Sequence, residues 1–410
     1  MQITSEEKRI QGISFSEIAE KFGTPTYVYD TDVIRNQYRK LKEAFKDINI
    51  KIKYAAKALT NQAILKVLLK EGSGIDVVSL QEVELALKAG YKPSEIMFTP
   101  NGVSFYEIEK AVEYGVVVNI DNLPTLQKFG ARYGSSYNCC VRINPHVKAG
   151  GNEKIMTGHR ESKFGISIEQ VNELYQTVHE YNIQVAGVHV HTGSDIKNID
   201  AFIETMQSLF EVAKNFKNLS FLDFGSGFKV AYSDDDVATD IYELGKKLSE
   251  EVKEFINVYG RQLEIWIEPG KFLVSECGYL LVKAELIKPT PACCFVFVNS
   301  GLNHLIRPMM YGAYHKITNV TNPKGIPTLY NVVGYICETD TFAGNIYIAE
   351  VREGDLLIIH NAGAYGFSMS SNYNSRFRPA EVMIHEKKPY LIRRRETIED
   401  LLRNQIDVDL

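Results

Sequence analysis

The chain has 410 residues, more than one hydrophobic core ordinarily supports, so two domains are expected. A hydrophobic content of 45%, a charged content of 24% and a net charge of −5 with acids and bases interleaved describe a soluble globular protein. They exclude a basic nucleic-acid face and a long acidic tail, and no apolar run is long enough to cross a bilayer.

Met1–Ile10 lacks the apolar core of a signal peptide. The six cysteines include no CxxC pair and no zinc spacing, and strand neighbours such as Cys139 and Cys140 point to opposite faces. Neither a metal nor a disulfide is expected, and a reducing cytoplasm is the expected home. After a short helix over Ser14–Phe22 and a strand over Thr26–Asp30, β-rich runs begin to alternate with amphipathic helical ones. The runs are Ile52–Lys57, Ile75–Ser79, Ile96–Pro100, Val116–Asp121, Cys139–Asn144, Val185–His191, Phe221–Gly225 and Leu263–Glu268. Ser79–Ala89, Phe105–Tyr114 and Ile199–Phe216 are helical patterns between them. Eight β/α units predict a TIM (β/α)8 barrel, with a doubly wound sheet as the rival.

The alternation stops near Cys277. Strand patterns at Tyr279–Ile287, Cys294–Asn299, Tyr330–Cys337, Asp355–His360 and Glu381–His385 follow, with little helix until Thr397–Arg403. This predicts a C-terminal all-β domain, which strand Thr26–Asp30 should join because it has no helical partner of its own. The expected boundaries are an N-terminal segment over 1–34, a barrel over 35–277 and the β-domain over 278–410. Tyr314–Pro327 and Ala364–Pro379 read as loops.

Barrel active sites lie at the C-terminal strand ends, and the unusual residues cluster there. Lys57 closes the first strand among alanines, where a neutral amine could attack an aldehyde; its plainer role is a charged strand cap. His189 and His191 close the sixth strand ahead of Ser194. His191 could stack on a cofactor ring or be an ordinary semi-buried histidine. Gly225-Ser226-Gly227 could cradle a phosphate on backbone amides or simply turn the chain. Glu268, before Pro269-Gly270-Lys271, is a surface acid or a buried one in need of a partner such as a protonated pyridine nitrogen. An amine, an anion nest, a flat ring and a carboxylate are the groups that pyridoxal 5′-phosphate (PLP) requires.

From about Tyr27 to Val382 the chain resembles the fold-type III PLP-dependent decarboxylases, and among them those acting on diaminopimelate. Tyr54-Ala-Ala-Lys57-Ala, Asp76-Val-Val-Ser79, Arg142-Ile-Asn-Pro145, Ser162-Lys-Phe-Gly165, His189-Val-His191-Thr-Gly-Ser194 and Glu268-Pro-Gly carry the likeness in the barrel. Leu305-Ile-Arg307 through His315, Cys337-Glu338-Thr-Asp340 and Gly363-Ala-Tyr365 through Asn374 carry it beyond. The resemblance implies that Lys57 forms a Schiff base with PLP, that His191 stacks on the ring and that Glu268 meets the pyridine nitrogen. It implies that Ser194, Gly225, Ser226, Gly227 and Tyr365 hold the phosphate. Arg307 and Tyr311 would hold a substrate carboxylate, with Lys271 and Tyr365 also in the substrate site. Cys337, as proton donor, and Glu338, as ligand of the distal amine, would come from the other subunit of a homodimer.

The implied activity is decarboxylation of meso-diaminopimelate to L-lysine and CO2, the last step of lysine biosynthesis. That substrate carries an ammonium and a carboxylate at its far end, and Glu338 and Arg307 would supply the opposite charges. Ornithine and arginine lack the distal carboxylate. Decarboxylation of those substrates or of carboxynorspermidine is the runner-up; racemization and a non-catalytic regulator are less favoured. The chain departs from the family pattern at Ser226, where three glycines are usual. It departs again at Lys271, where an arginine that touches substrate or phosphate is usual; lysine keeps the charge and loses the fork.

Overall fold

The computed structural model describes residues 8–147, 157–191, 193–195 and 198–410; residues 1–7 and Thr192, within the His189–Ser194 motif, lie outside them. The described chain divides into two compact units. One comprises Arg35–Val230 and Val237–Leu273; the other comprises the described residues up to Ile34 with Ala231–Asp236 and Val274–Leu410.

The first unit is a closed parallel barrel. Its eight strands are Ile50–Ala55, Gly74–Val77, Ile96–Phe98, Val117–Ile120, Cys139–Asn144, Val185–Val190, Phe221–Asp223 and Glu264–Ile267. Each pairs with the next, and the eighth returns to the first through Ile265–Ile50 and Ile267–Ile52. All eight expected strands are present, but most stop short of their expected ends. Lys57, His191, Gly225 and Glu268 lie one or two residues past the ladder, where the chain turns. Because the strands are parallel, those turns share one end of the barrel. A short strand that the sequence did not suggest, Ile166–Ser167, pairs with Cys139–Asn144.

The interior is filled in the manner of a packed core. Met97, Cys140, Phe221 and Trp266 cluster there, with the Phe221 and Trp266 rings stacked at 3.6 Å between centroids. Lys53 lays its ammonium 4.0 Å over Trp266 and donates to the Glu95 carbonyl; burial lowers its pKa to about 8. Gly187 makes the ring pair possible, since a Cβ there would meet the Phe221 ring at 2.1 Å. Gly187→Val is therefore expected to destabilise the protein by about 1–3 kcal/mol through overpacking, which denaturant unfolding would measure.

Local signals account for many element ends. Ser14 and Glu17 form a capping box that starts helix Phe15–Phe22, and the Ser79 hydroxyl accepts from Glu82 N to start helix Leu80–Ala89. No helix among the described residues is long and apolar enough to cross a membrane.

The second unit is built on a sheet ordered Thr341–Ala349, Pro327–Val333, Cys294–Val298, Gly278–Pro289, Thr26–Asp30, Ala380–His385 and Lys388–Arg393. Strand Thr26–Asp30 does join it, antiparallel to Gly278–Pro289 and parallel to Ala380–His385. Strand Pro327–Val333 replaces the expected Tyr330–Cys337, so Cys337 sits in a bend rather than in a strand. Strands Ile317–Asn319, Thr341–Ala349 and Lys388–Arg393 were not expected. Ile317–Asn319 is too short to show a period, and Gly344-Asn345, with Asn345 at φ +52°, reads as a turn inside Thr341–Ala349.

His304 is fully buried in this unit between the Ser300 hydroxyl and the Phe377 carbonyl. Burial lowers its pKa from 6.5 to about 4. Between those values the unfolded chain binds the proton that the folded one refuses, so stability falls as pH drops below 6.5 and levels off near 4. From pH 7 to pH 5 this group alone is expected to cost roughly 2 kcal/mol. Thermal unfolding at both pH values checks it: His304→Gln should show the smaller acid-induced loss.

Candidate active site

The site is assembled from the turns at the strand ends. Lys57 occupies a single 3-10 turn, Ala56–Ala58, directly after strand Ile50–Ala55. Its side chain is 41% exposed, more open than a partly buried strand end, and its Nζ lies 3.4 Å from Asp76 Oδ2. Asp76, in the second strand, is fully buried. Burial and then the Glu268 charge raise its pKa to about 7, against the pull of Lys57.

Glu268 comes just after the eighth strand and is 6% exposed. Its Oε2 lies 3.2 Å from Nε2 of the buried His189. Its Oε1 is buried and accepts from no N–H group among the described residues, while the neighbouring Asp223 carboxyl hydrogen-bonds to Glu268. Burial, the largest single influence, raises the pKa of this carboxyl. The His189 hydrogen bond and the Lys57 ammonium oppose it and hold the group below the ordinary carboxyl range. Asp223 shows the opposite balance: burial and then Glu268 push it well above the ordinary carboxyl range. Two neighbouring buried carboxyls do not both ionise, and here Glu268 keeps the charge while Asp223 keeps its proton.

His191 comes just after the sixth strand and is partly buried. The Ser226 amide donates to its Nδ1 at 3.3 Å, and burial, then Arg142 and Lys57, lower its pKa well below 6.5. The ring is neutral, with its face rather than its charge available.

The Gly225-Ser226-Gly227 turn is partly committed. Gly225 N–H donates to Asp223 Oδ1 at 2.9 Å, Ser226 N–H to His191, and Ser226 Oγ–H to the Glu268 carbonyl at 2.8 Å. Of the three amides, that of Gly227 alone makes no hydrogen bond among the described residues, so the nest offers fewer amides than its sequence suggests. Gly225 sits at φ +58°, and a Cβ there would meet His191 Nδ1 at 2.6 Å and the Val190 carbonyl at 2.8 Å. Only glycine fits between this turn and that ring. Ser194 is partly buried in the loop after the sixth strand. Lys271, buried, grips both carboxylate oxygens of Asp195 at 2.8 Å.

The remaining candidates belong to the second unit. Arg307 is buried at the start of helix Arg307–Tyr311; it donates from Nη2 to the Tyr232 hydroxyl at 3.2 Å and from Nε to His315 at 3.4 Å. Tyr311 ends the same helix. Cys337 is exposed and its thiol is free, while Glu338 accepts from the Tyr373 hydroxyl at 2.6 Å. Tyr365 holds a left-handed φ of +57°, a strained backbone for a non-glycine residue.

The structure thus brings Lys57, His191, Glu268 and the Gly225–Gly227 turn together, and adds Asp76, Asn119, Arg142, His189 and Asp223. The sequence alone assigned these five no role, although Asp223 and Asn119 are polar residues inside otherwise apolar strands. The donor atoms of His189, Asp223 and Glu268 lie within 4.8 Å of one another, a spacing a metal ion could use. Asp223 keeps its proton, so it is not available as an anionic ligand. A ring N–H fits better: it needs one acceptor, and Glu268 Oε1 is a buried, ionised carboxylate oxygen that accepts from no N–H group among the described residues.

Comparison with known proteins agrees with this chemistry. Residues 31–275 match the family described as pyridoxal-dependent decarboxylase, pyridoxal binding domain. A diaminopimelate decarboxylase from Methanothermobacter thermautotrophicus is 38% identical over 97% of this chain and 95% of its own length. The crystal structure of the Helicobacter pylori diaminopimelate decarboxylase complexed with L-lysine matches with a TM-score of 0.87 at 34% identity, covering 95% of this chain and 98% of that one. A lysine/ornithine decarboxylase from Vibrio vulnificus complexed with putrescine matches at TM-score 0.78 and 26% identity, over 91% and 99% of the two chains. With the barrel, the Glu268 cluster and these likenesses established, the chain belongs to the pyridoxal-dependent decarboxylases and, within them, to the diaminopimelate decarboxylase family.

Proposed function

We propose that this chain binds PLP and removes one carboxylate of meso-diaminopimelate as CO2, releasing L-lysine. The observation that carries the reading is Glu268, an ionised carboxylate buried beside Lys57 and His191 whose Oε1 accepts from no N–H group among the described residues. When bound, PLP supplies an electron sink for the bond that loses CO2.

The chain's own residues supply the rest. Lys57 Nζ is the amine that holds the cofactor's aldehyde carbon. Glu268 keeps a proton on the ring nitrogen, and the uncharged His191 covers the ring without competing for that proton. The Gly227 amide, with Ser194, Gly225, Ser226 and Tyr365, receives the phosphate. Arg307 and Tyr311 bind a substrate carboxylate. Lys271 is a weaker candidate for substrate binding, because Asp195 already neutralises it. Glu338 binds the distal ammonium, and Cys337 Sγ delivers the proton that replaces CO2. Both are donated across the interface of a homodimer that works in the cytoplasm. An exposed thiol outside any disulfide is consistent with that role.

The test is incubation of purified protein and PLP with meso-diaminopimelate, ornithine, arginine and carboxynorspermidine in turn. Lysine and CO2 from the first, at a kcat/KM at least about 100-fold above the others, is the expected result. Preference for any of the others would overturn the substrate assignment.

A further inference from the structure

We infer that Asn119 and His189 are positioning residues that aim Glu268: the Asn119 amide holds His189 in the tautomer protonated at Nε2, and that N–H pins Glu268 Oε2, leaving Oε1 for the cofactor ring. Asn119 lies in the fourth strand, His189 in the sixth, and Glu268 just after the eighth, so the chain of contacts crosses the barrel interior. Asn119 and His189 are 1% and 0% exposed, so bulk solvent does not compete for their bonds. Asn119 Nδ2 lies 2.9 Å from His189 Nδ1, and His189 Nε2 lies 3.2 Å from Glu268 Oε2.

Three constraints select one arrangement. Glu268 is ionised and cannot donate, so His189 Nε2 must carry the hydrogen. Burial is the largest influence on His189 and favours the neutral ring, so its Nδ1 must be bare. An amide nitrogen donates and does not accept, so Asn119 Nδ2 is the complementary partner at Nδ1. The opposite tautomer would set two lone pairs against each other at Glu268. The groups around this line are Lys57, Arg142, His191, Asp76 and Asp223, and the protonated Asp223 also hydrogen-bonds to Glu268 as a second anchor. A carboxylate with one oxygen fixed cannot swing away from the ring nitrogen, as ligands are oriented by the groups behind them in metal sites.

This inference rests on the reading of Glu268 as partner of the pyridine nitrogen, and its test separates the two. Nitrogen-15 NMR of histidine-labelled holoenzyme reads the tautomer directly, with His189 assigned by its missing signals in His189→Gln. The expected spectrum has Nε2 protonated and Nδ1 bare; in Asn119→Asp, whose carboxylate asks for a hydrogen, both nitrogens become protonated. PLP retention is the second readout. His189→Leu should raise the PLP dissociation constant about tenfold. His189→Gln, whose amide N–H can still reach Glu268, should recover most of that loss. A proton on Nδ1, or on both nitrogens, in the wild-type holoenzyme overturns the inference, as does wild-type PLP retention by His189→Leu. Failure of the wild-type protein to take up PLP at all would instead strike the functional reading, whatever the tautomer.

Discussion

Lys57→Ala is expected to abolish turnover, by at least about 10³-fold, and to remove the visible absorption band of the attached cofactor in the same step. Lys57 is the amine in the cluster placed to bond an aldehyde carbon: Lys53 is buried against Trp266 and Lys271 is held by Asp195. The fold should tolerate the change. Lys57 is partly exposed and occupies a short turn, and alanine suits that turn as its neighbours Ala56 and Ala58 do. Losing the ammonium does remove a counter-charge from Asp76 and Glu268, so both carboxyls should protonate more readily in the variant. Absorbance spectra, CO2 release and borohydride reduction with peptide mapping check the prediction. A coloured, active variant, or a label on another lysine, would end the assignment.

Glu268→Gln should have the next largest effect and a different signature. Glutamine keeps the shape and can still accept from His189 Nε2–H, but its other terminus is then an N–H group facing the ring nitrogen. The cofactor stays attached to Lys57, so the protein remains coloured, while the ring loses the negative partner that keeps it protonated. Turnover should fall by about 10²–10³-fold, the usual cost of removing one preorganised electrostatic partner. The visible band should shift rather than vanish. Turnover within a factor of about three of wild type would contradict the placement of Glu268, given the losses such removals ordinarily cause. Measured side by side, the two variants separate loss of attachment from loss of electronic support.

The barrel was legible because its signal is repetitive. Eight apolar runs separated by amphipathic helices leave few closed arrangements, and residues such as Lys57, His191 and Glu268 stand out where strand patterning ends. The second unit was less legible. Ile317–Asn319 is shorter than two periods of alternation, and Thr341–Ala349 carries a Gly-Asn pair that mimics a turn. Cys337 reads as the end of a β-rich run, yet the ladder ends at Val333 and a bend lies beyond it. Within the site, Asp223 and Asn119 could have been noticed as polar residues in apolar strands. Nothing in the sequence says that Asp223 keeps its proton while Glu268 loses its own, because that depends on which cations stand nearby.

Local chemistry alone determined the alternation, the helix caps, the residue types at the strand ends and the need for an aldehyde-binding, anion-binding site. These depend on side-chain type and spacing along the chain, which a sequence displays in full. Tertiary structure decided which groups share a charge. Asn119 and His189 are 70 residues apart, His189 and Glu268 are 79 apart, and all three meet because the sheet closes on itself. Burial then makes their hydrogen bonds directional and their protonation states mutually exclusive. Electrostatics in a dry interior depends on distances of a few ångströms between strands, and no one-dimensional pattern encodes those distances.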